Sequence, residues 1–247
     1  MDTADIVVRI CNATVEIPLR GVKQEVVGTD PRIIRRKNGA IVLRALENIS
    51  LEVRRGERIG IVGGNGNGKT TLLKLIGGML PVASGSVEVH GSIRTLLTIG
   101  AGTVPALTGR QNVKMRYALL GIKSITESEY VSDVEAFSDI GAFFDMPLGT
   151  YSPGMYSRIQ FAMSTVEPAD ILLLDEWIGV ADQAFQNKAN DRLESYIQRN
   201  EGFLFASHNE ELLKRMTSRT IRLVNGRLEA NQDLELHMER CPSRSNI

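Results

Sequence analysis

The sequence predicts an α/β protein built on an open, largely parallel sheet, and three stretches carry that prediction. Ile59-Gly60-Ile61-Val62 reads as a buried strand and passes through a glycine-rich loop into Leu72-Leu73-Lys74-Leu75-Ile76, the start of a helix. Ala169-Asp170-Ile171-Leu172-Leu173-Leu174-Asp175-Glu176 is an apolar run ending in two carboxylates. Four consecutive apolar residues suit a strand covered on both faces. Phe203-Leu204-Phe205-Ala206 repeats the pattern and leads to Ser207 and His208. In open α/β sheets ligands bind at the carboxyl ends of such strands.

The loop after the first strand runs Gly63, Gly64, Asn65, Gly66, Asn67, Gly68, Lys69, Thr70, Thr71. Gly63, four residues, then Gly68-Lys69-Thr70 is the spacing of a phosphate-binding loop. Its glycines let successive backbone N–H groups turn inward, and the following helix adds the partial positive charge of its N-terminus. Lys69 has the reach and charge to hold the outer phosphates, and the Thr70 hydroxyl can ligate magnesium. A dinucleotide-binding loop is disfavoured, because its glycine spacing is not met and the lysine has no role there. Asp175 is placed to hold magnesium, directly or through water. Glu176 is placed to polarise the water that attacks a γ-phosphate, although a pair of solvated acids would look the same in isolation.

Tyr151-Ser152-Pro153-Gly154-Met155 precedes a segment of helical character, Tyr156 to Met163. A serine there is ordinarily an N-cap. Between a phosphate loop and an Asp-Glu strand, the Ser-x-Gly resembles the signature motif of ABC-type ATPases. That resemblance implies that Ser152 and Gly154 face the nucleotide bound by an opposite subunit. It also makes Asp182 a D-loop residue at a dimer interface and His208 a switch histidine at the γ-phosphate. The resemblance covers about Val42 to Leu228. Its wording is similar to a branch that exports bacterial O-antigen, teichoic acid and capsule. The segments that carry this are Tyr-Ser-x-Gly-Met, Leu107-Thr108-Gly109-Arg110-Gln111-Asn112-Val113, and an Asp175-Glu176 pair followed by Trp177 rather than proline.

The resemblance implies the P-loop ATPase fold of ABC proteins: a RecA-like core with an antiparallel β subdomain and a helical subdomain at about 103–166. Residues 1–230 would form the nucleotide-binding domain and 231–247 a short tail. ATP and Mg2+ are the implied ligands. The implied partners are a polytopic membrane permease, a second copy of the chain and a lipid-linked glycan, at the cytoplasmic face of the bacterial inner membrane. The sequence departs from the family pattern at three points. Thr98 stands where a Q-loop glutamine is usual, and could still bind magnesium. The region Val15-Glu16-Ile17-Pro18-Leu19, where an aromatic ring normally stacks on adenine, offers only aliphatics, so base contact is expected to be weak or purely hydrophobic. Pro153 lacks an N–H that the signature usually supplies.

Composition sets further bounds. The chain has 247 residues, 29 basic and 29 acidic, for zero formal net charge. No nucleic-acid partner is implied by that balance. Cys11 and Cys241 fit no metal-binding spacing. No apolar run approaches the roughly 20 residues needed to cross a bilayer, so transport would need a separate membrane subunit. Residues 5 to 10, about 41 to 53, and 85 to 97 read as the antiparallel β region. Gly21 to Ala40 is a polar insertion with Arg32, Arg35, Arg36 and Lys37, open to two readings: a solvated loop, or contact with lipid headgroups or a pyrophosphate-linked substrate near the membrane surface. Phe185, Ala189, Leu193 and Ile197 line one helix face, and Asn225-Gly226 marks a hairpin. The reading is an ATPase driving glycan export. The alternatives are an exporter of drugs or small molecules, or a soluble ABC protein of translation or repair.

Overall fold

The computed structural model describes residues 5–22, 24–96, 102–175 and 183–229. These fall into two compact units: residues up to 96 with 170–175 and 201–229, and residues 102–169 with 183–200.

The first unit holds two sheets. The antiparallel one joins β1 (Ile6–Pro18), β2 (Ile33–Arg35), β3 (Ile41–Arg54) and β5 (Ser84–Val89) in the order β2-β3-β1-β5. The other places β10 (Arg227–Leu228), β9 (Arg219–Val224), β4 (Glu57–Val62), β8 (Gly202–Ala206), β7 (Ile171–Asp175) and β6 (Ile93–Leu96) side by side in that order. From β9 to β6 the pairings are parallel. Strand β10 returns antiparallel through Asn225 and Gly226, both at positive φ, as an Asn-Gly hairpin requires. Helix α1 (Lys69–Ile76) follows β4 and buries Leu72, Leu73, Leu75 and Ile76. These side chains join Val8, Ile10, Leu46, Leu51, Ile59, Ile61, Leu173 and Leu204 in one core that draws on both sheets.

Two expectations are corrected here. Residues 85 to 97 are not one antiparallel stretch. Ser84–Val89 pairs with β1, whereas Ile93–Leu96 pairs parallel with β7 in the other sheet. The crossover is fixed at Gly91-Ser92. Asp170 accepts hydrogen bonds from the Ser92 N–H (2.6 Å) and hydroxyl (2.8 Å), and these hold its carboxyl below the usual range. Alternation along a strand shows which face is buried, not which neighbour it takes. The insertion at 20–40 is likewise not loop throughout, although Arg35, Arg36 and Lys37 are exposed as the solvated reading expects. β2 pairs with β3, and Arg36 donates to the nearly buried Glu16 carboxylate at 2.7 Å.

The second unit is helical: α2 (Gly109–Leu120), α3 (Glu127–Ser138), α4 (Pro153–Ser164) and α5 (Gln183–Gln198). Helices α2 and α3 start with capping boxes, Thr108 with Gln111 and Thr126 with Glu129. Phe137 packs on Phe161 and Phe185, with ring centroids 5.8 and 5.4 Å away. Phe185, Ala189, Leu193 and Ile197 are all buried, as their spacing predicts. Tyr196 is buried as well and donates its hydroxyl to the Glu167 carbonyl. Among the described residues no helix is long and apolar enough to cross a membrane.

Candidate functional site

The site is built where β4 ends. Register places Ile61 level with Ala206 of β8, and Asp175 of β7 level with the same Ala206. The phosphate loop, Asp175 and the segment leading to His208 therefore leave the sheet at one carboxyl edge. The loop is shaped by glycines that no other residue replaces without cost. Gly63 sits at φ 152°, and a Cβ there would meet the Leu223 carbonyl oxygen at 2.4 Å. Gly68, at φ 102°, is the N-cap of α1 and lies against the Ala45 carbonyl. The loop is braced from outside by the Asn-Gly turn. The Asn225 N–H donates to Asn67 Oδ1 (3.2 Å) and the Gly226 N–H to the Asn67 carbonyl (3.1 Å).

Lys69 is buried, and its ammonium donates to the Gly63 carbonyl at 2.7 Å and the Gly64 carbonyl at 3.2 Å. A bound phosphate would compete with those carbonyls for the charge. Thr70 Oγ1 donates to Asp175 Oδ2 at 2.5 Å, which joins the loop to β7 across 105 positions of sequence. A hydroxyl and a carboxylate converging at a helix N-terminus form a hard oxygen donor set of the kind Mg2+ takes. Neighbouring ligands of an octahedral ion lie about 2.9 Å apart, from bonds of about 2.0–2.1 Å. The pair needs to open by only a few tenths of an ångström to serve one ion. These groups line a cavity of about 400 Å³ whose walls are Gly64 to Thr71, Asp175, Ile17, Leu43, Ala45 and Arg32.

The other sequence-predicted residues are distributed as follows. His208 is exposed and follows the buried Ser207 at the end of β8. Ser152 is the N-cap of α4 in the second unit, its hydroxyl accepting the Met155 N–H at 3.2 Å. Pro153 stands at the first helical position, where a missing N–H costs nothing. Gly154 follows it. Glu176, Trp177, Asp182 and Thr98 lie outside the described residues. The aliphatic character expected of the Val15–Leu19 region holds for Ile17, which lines the cavity with Leu43 and Ala45. Arg32 belongs to the same wall, and the sequence reading, which grouped it with a surface cluster, missed that. No local sequence signal marks it: β2 pairs with β3, and the Arg44 N–H donates to the Arg32 carbonyl. That ladder brings residue 32 back over the loop.

A phosphate loop on a parallel strand, with a carboxylate from another strand of the same sheet fixed against its threonine, defines a P-loop nucleoside triphosphatase. A family model described as ABC transporter matches residues 46–179. The chain belongs to the ABC transporter family and is an ATPase of it. It is 38% identical over 200 residues to the O-antigen export system ATP-binding protein RfbE of Yersinia enterocolitica, covering 81% of this chain and 84% of that one. It is 34% identical over 243 residues to the O-antigen export system ATP-binding protein RfbB of Klebsiella pneumoniae, covering 94% and 98%. The teichoic acids export ATP-binding protein TagH of Enterococcus faecalis is 37% identical over 186 residues; these are 75% of this chain but 41% of that protein. The fold matches the dimeric bacterial ABC transporter cassette MJ0796 with a TM-score of 0.67, covering 90% of this chain and 97% of that one at 19% identity.

Proposed function

We propose that this chain hydrolyses ATP to drive export of a lipid-linked polysaccharide through a partner membrane permease, working as a homodimer at the cytoplasmic face of the bacterial inner membrane. The observation that supports the chemistry is the contact of Thr70 with Asp175, a hydroxyl and a carboxylate beside the phosphate loop. The cargo is supported by relatives named for O-antigen and teichoic acid export. None of these relatives is named for drug efflux, translation or repair.

In this reading the loop N–H groups and Lys69 bind the β- and γ-phosphates. Thr70 and Asp175 would hold Mg2+, which would supply charge to offset the phosphate oxygens, and Thr98 would take the sensor position. Glu176 takes a proton from water as the water oxygen attacks the γ-phosphorus. The bond to the β–γ bridging oxygen breaks, releasing ADP and inorganic phosphate. His208 contacts the γ-phosphate from the end of β8. Ser152, Gly154 and Asp182 serve the nucleotide of the partner subunit, so each site draws on both chains.

Glu176→Gln tests the assignment, because an amide cannot accept the proton. Nucleotide affinity should stay within about two-fold of wild type while the steady-state rate falls by about a hundred-fold or more, the range of a general base. Near-normal turnover in that variant would remove Glu176 from the mechanism. In a strain carrying the intact export system, the same variant should leave its polysaccharide inside the cell.

A further inference from the structure

Among the described residues the cavity wall has no aromatic ring, yet it has a fixed planar group. Arg32 Nε donates to Asp30 Oδ1 at 3.0 Å and Nη2 to Asp30 Oδ2 at 2.7 Å. The third nitrogen, Nη1, donates to the Gly66 carbonyl at 2.6 Å. All three guanidinium nitrogens are thus anchored in one plane, to the neighbouring strand entry on one side and to the crest of the phosphate loop on the other. The side chain is only 18% exposed. It shares the cavity wall with the aliphatic Ile17, Leu43 and Ala45.

We propose that the Arg32 guanidinium is the platform on which the nucleotide base stacks, in place of an aromatic side chain. This rests on the nucleotide reading of the cavity and adds to it the residue that selects the base. Guanidinium planes stack on aromatic faces, and stacking uses the face, not the donors along the edge. Here Asp30 and Gly66 occupy edge donors and leave the faces without hydrogen bonds to make. Asp30 also offsets the positive charge, so attraction for phosphate is weakened relative to an unpaired arginine. The fork holds the plane before the ligand arrives, so little rotamer entropy remains to be lost on binding. A stacking platform favours the larger purine face over a pyrimidine and reads little of its edge, so ATP and GTP should bind alike and CTP less well.

The test uses the full-length protein and three probes: ATP, CTP and inorganic tripolyphosphate, each titrated by calorimetry. In Arg32→Ala, ATP should bind about ten-fold more weakly, the scale of one lost base stack. Tripolyphosphate, which has no base, should bind within about two-fold of wild type. The preference for ATP over CTP should shrink. Arg32→Lys keeps the charge and loses the plane, so it should behave like the alanine variant. Arg32→Tyr should restore the preference for ATP.

Equal losses for ATP and tripolyphosphate, or recovery in Arg32→Lys, would make Arg32 a phosphate contact and overturn the proposal. So would unchanged ATP binding in Arg32→Ala. A measurement on the wild-type protein covers the case in which a variant fails to fold. With 15N-labelled arginine, the Arg32 Nε–H resonance should shift on adding ATP and stay in place with tripolyphosphate; the reverse pattern counts against stacking. If wild type binds no ATP, or Lys69→Ala binds it normally, the nucleotide reading of the cavity is what fails.

Discussion

Asp30 makes the smallest part of the site sensitive to pH. The Arg32 guanidinium, and next the Arg32 N–H, bond to its carboxylate and hold its pKa at about 2, below the usual value near 3.8. A carboxylate depressed in the folded state adds stability that is complete above the unfolded pKa and disappears as pH falls through the folded one. The contribution of Asp30 is therefore present above about pH 4 and lost between about pH 4 and pH 2. Both side chains are partly exposed, so its size at neutral pH is small. In urea titrations Asp30→Asn should lower the midpoint slightly at pH 7, and the gap from wild type should close as pH drops below 4. A gap that persists unchanged at the acid end would mean that Asp30 is not ionised by its partner. The same variant frees the guanidinium from its fork, so it should also weaken ATP binding more than tripolyphosphate binding.

At the scale of elements, the sequence was legible where an element is written in contiguous residues. The phosphate loop, the Asp175 strand, the Ser152 cap and the Asn225-Gly226 turn are all local patterns, and each occupies the element expected of it. What was not legible is where distant segments meet. Nothing in Ile93–Leu96 says that it leaves one sheet for the other, and nothing in Arg32 says that it reaches Gly66. Such contacts depend on sheet register, which is set by packing over the whole unit.

The hairpin is a second case: its turn was readable, its work as a brace for Asn67 was not. Gly226 carries that role. It sits at φ 77°, and a Cβ would lie 2.5 Å from the Ala45 carbonyl oxygen. Gly66, at φ 75°, has open space around it. Gly66→Ala should thus cost only the left-handed backbone penalty of about 1–2 kcal/mol. Gly226→Ala must also displace backbone, so it should cost more, and it should weaken ATP binding although residue 226 does not line the cavity. Thermal melts and calorimetry on the two variants check this. Equal destabilisation, or unaltered ATP affinity in Gly226→Ala, would mean that the turn does not shape the loop.

At the scale of the whole molecule, the question is what the second unit does with the exposed cap of α4. The Ser152 hydroxyl is already bonded to the Met155 N–H, and Pro153 offers no donor. Of the groups that could meet a γ-phosphate of another subunit, the Gly154 N–H and the N-terminal dipole of α4 remain, with the serine hydroxyl proton. In the proposed dimer these would add up to a weaker anion site than a full set of amides. Closure of the proposed homodimer should then depend on keeping that entrance small and uncharged. In the Glu176→Gln background, where bound ATP is not consumed, wild-type residue 152 should give an ATP-dependent dimer by sedimentation. Ser152→Arg should remain monomeric while its monomer binds ATP with unchanged affinity, because the side chain fills the space that the phosphate needs. Ser152→Asn separates this from loss of the cap. Asparagine caps a helix as well as serine does, so α4 should hold and the melting temperature should move by only a few degrees. If asparagine also abolishes dimerisation, the serine hydroxyl itself is needed at the interface. If the arginine variant still dimerises on ATP, Ser152 has no role across subunits and is a helix cap alone.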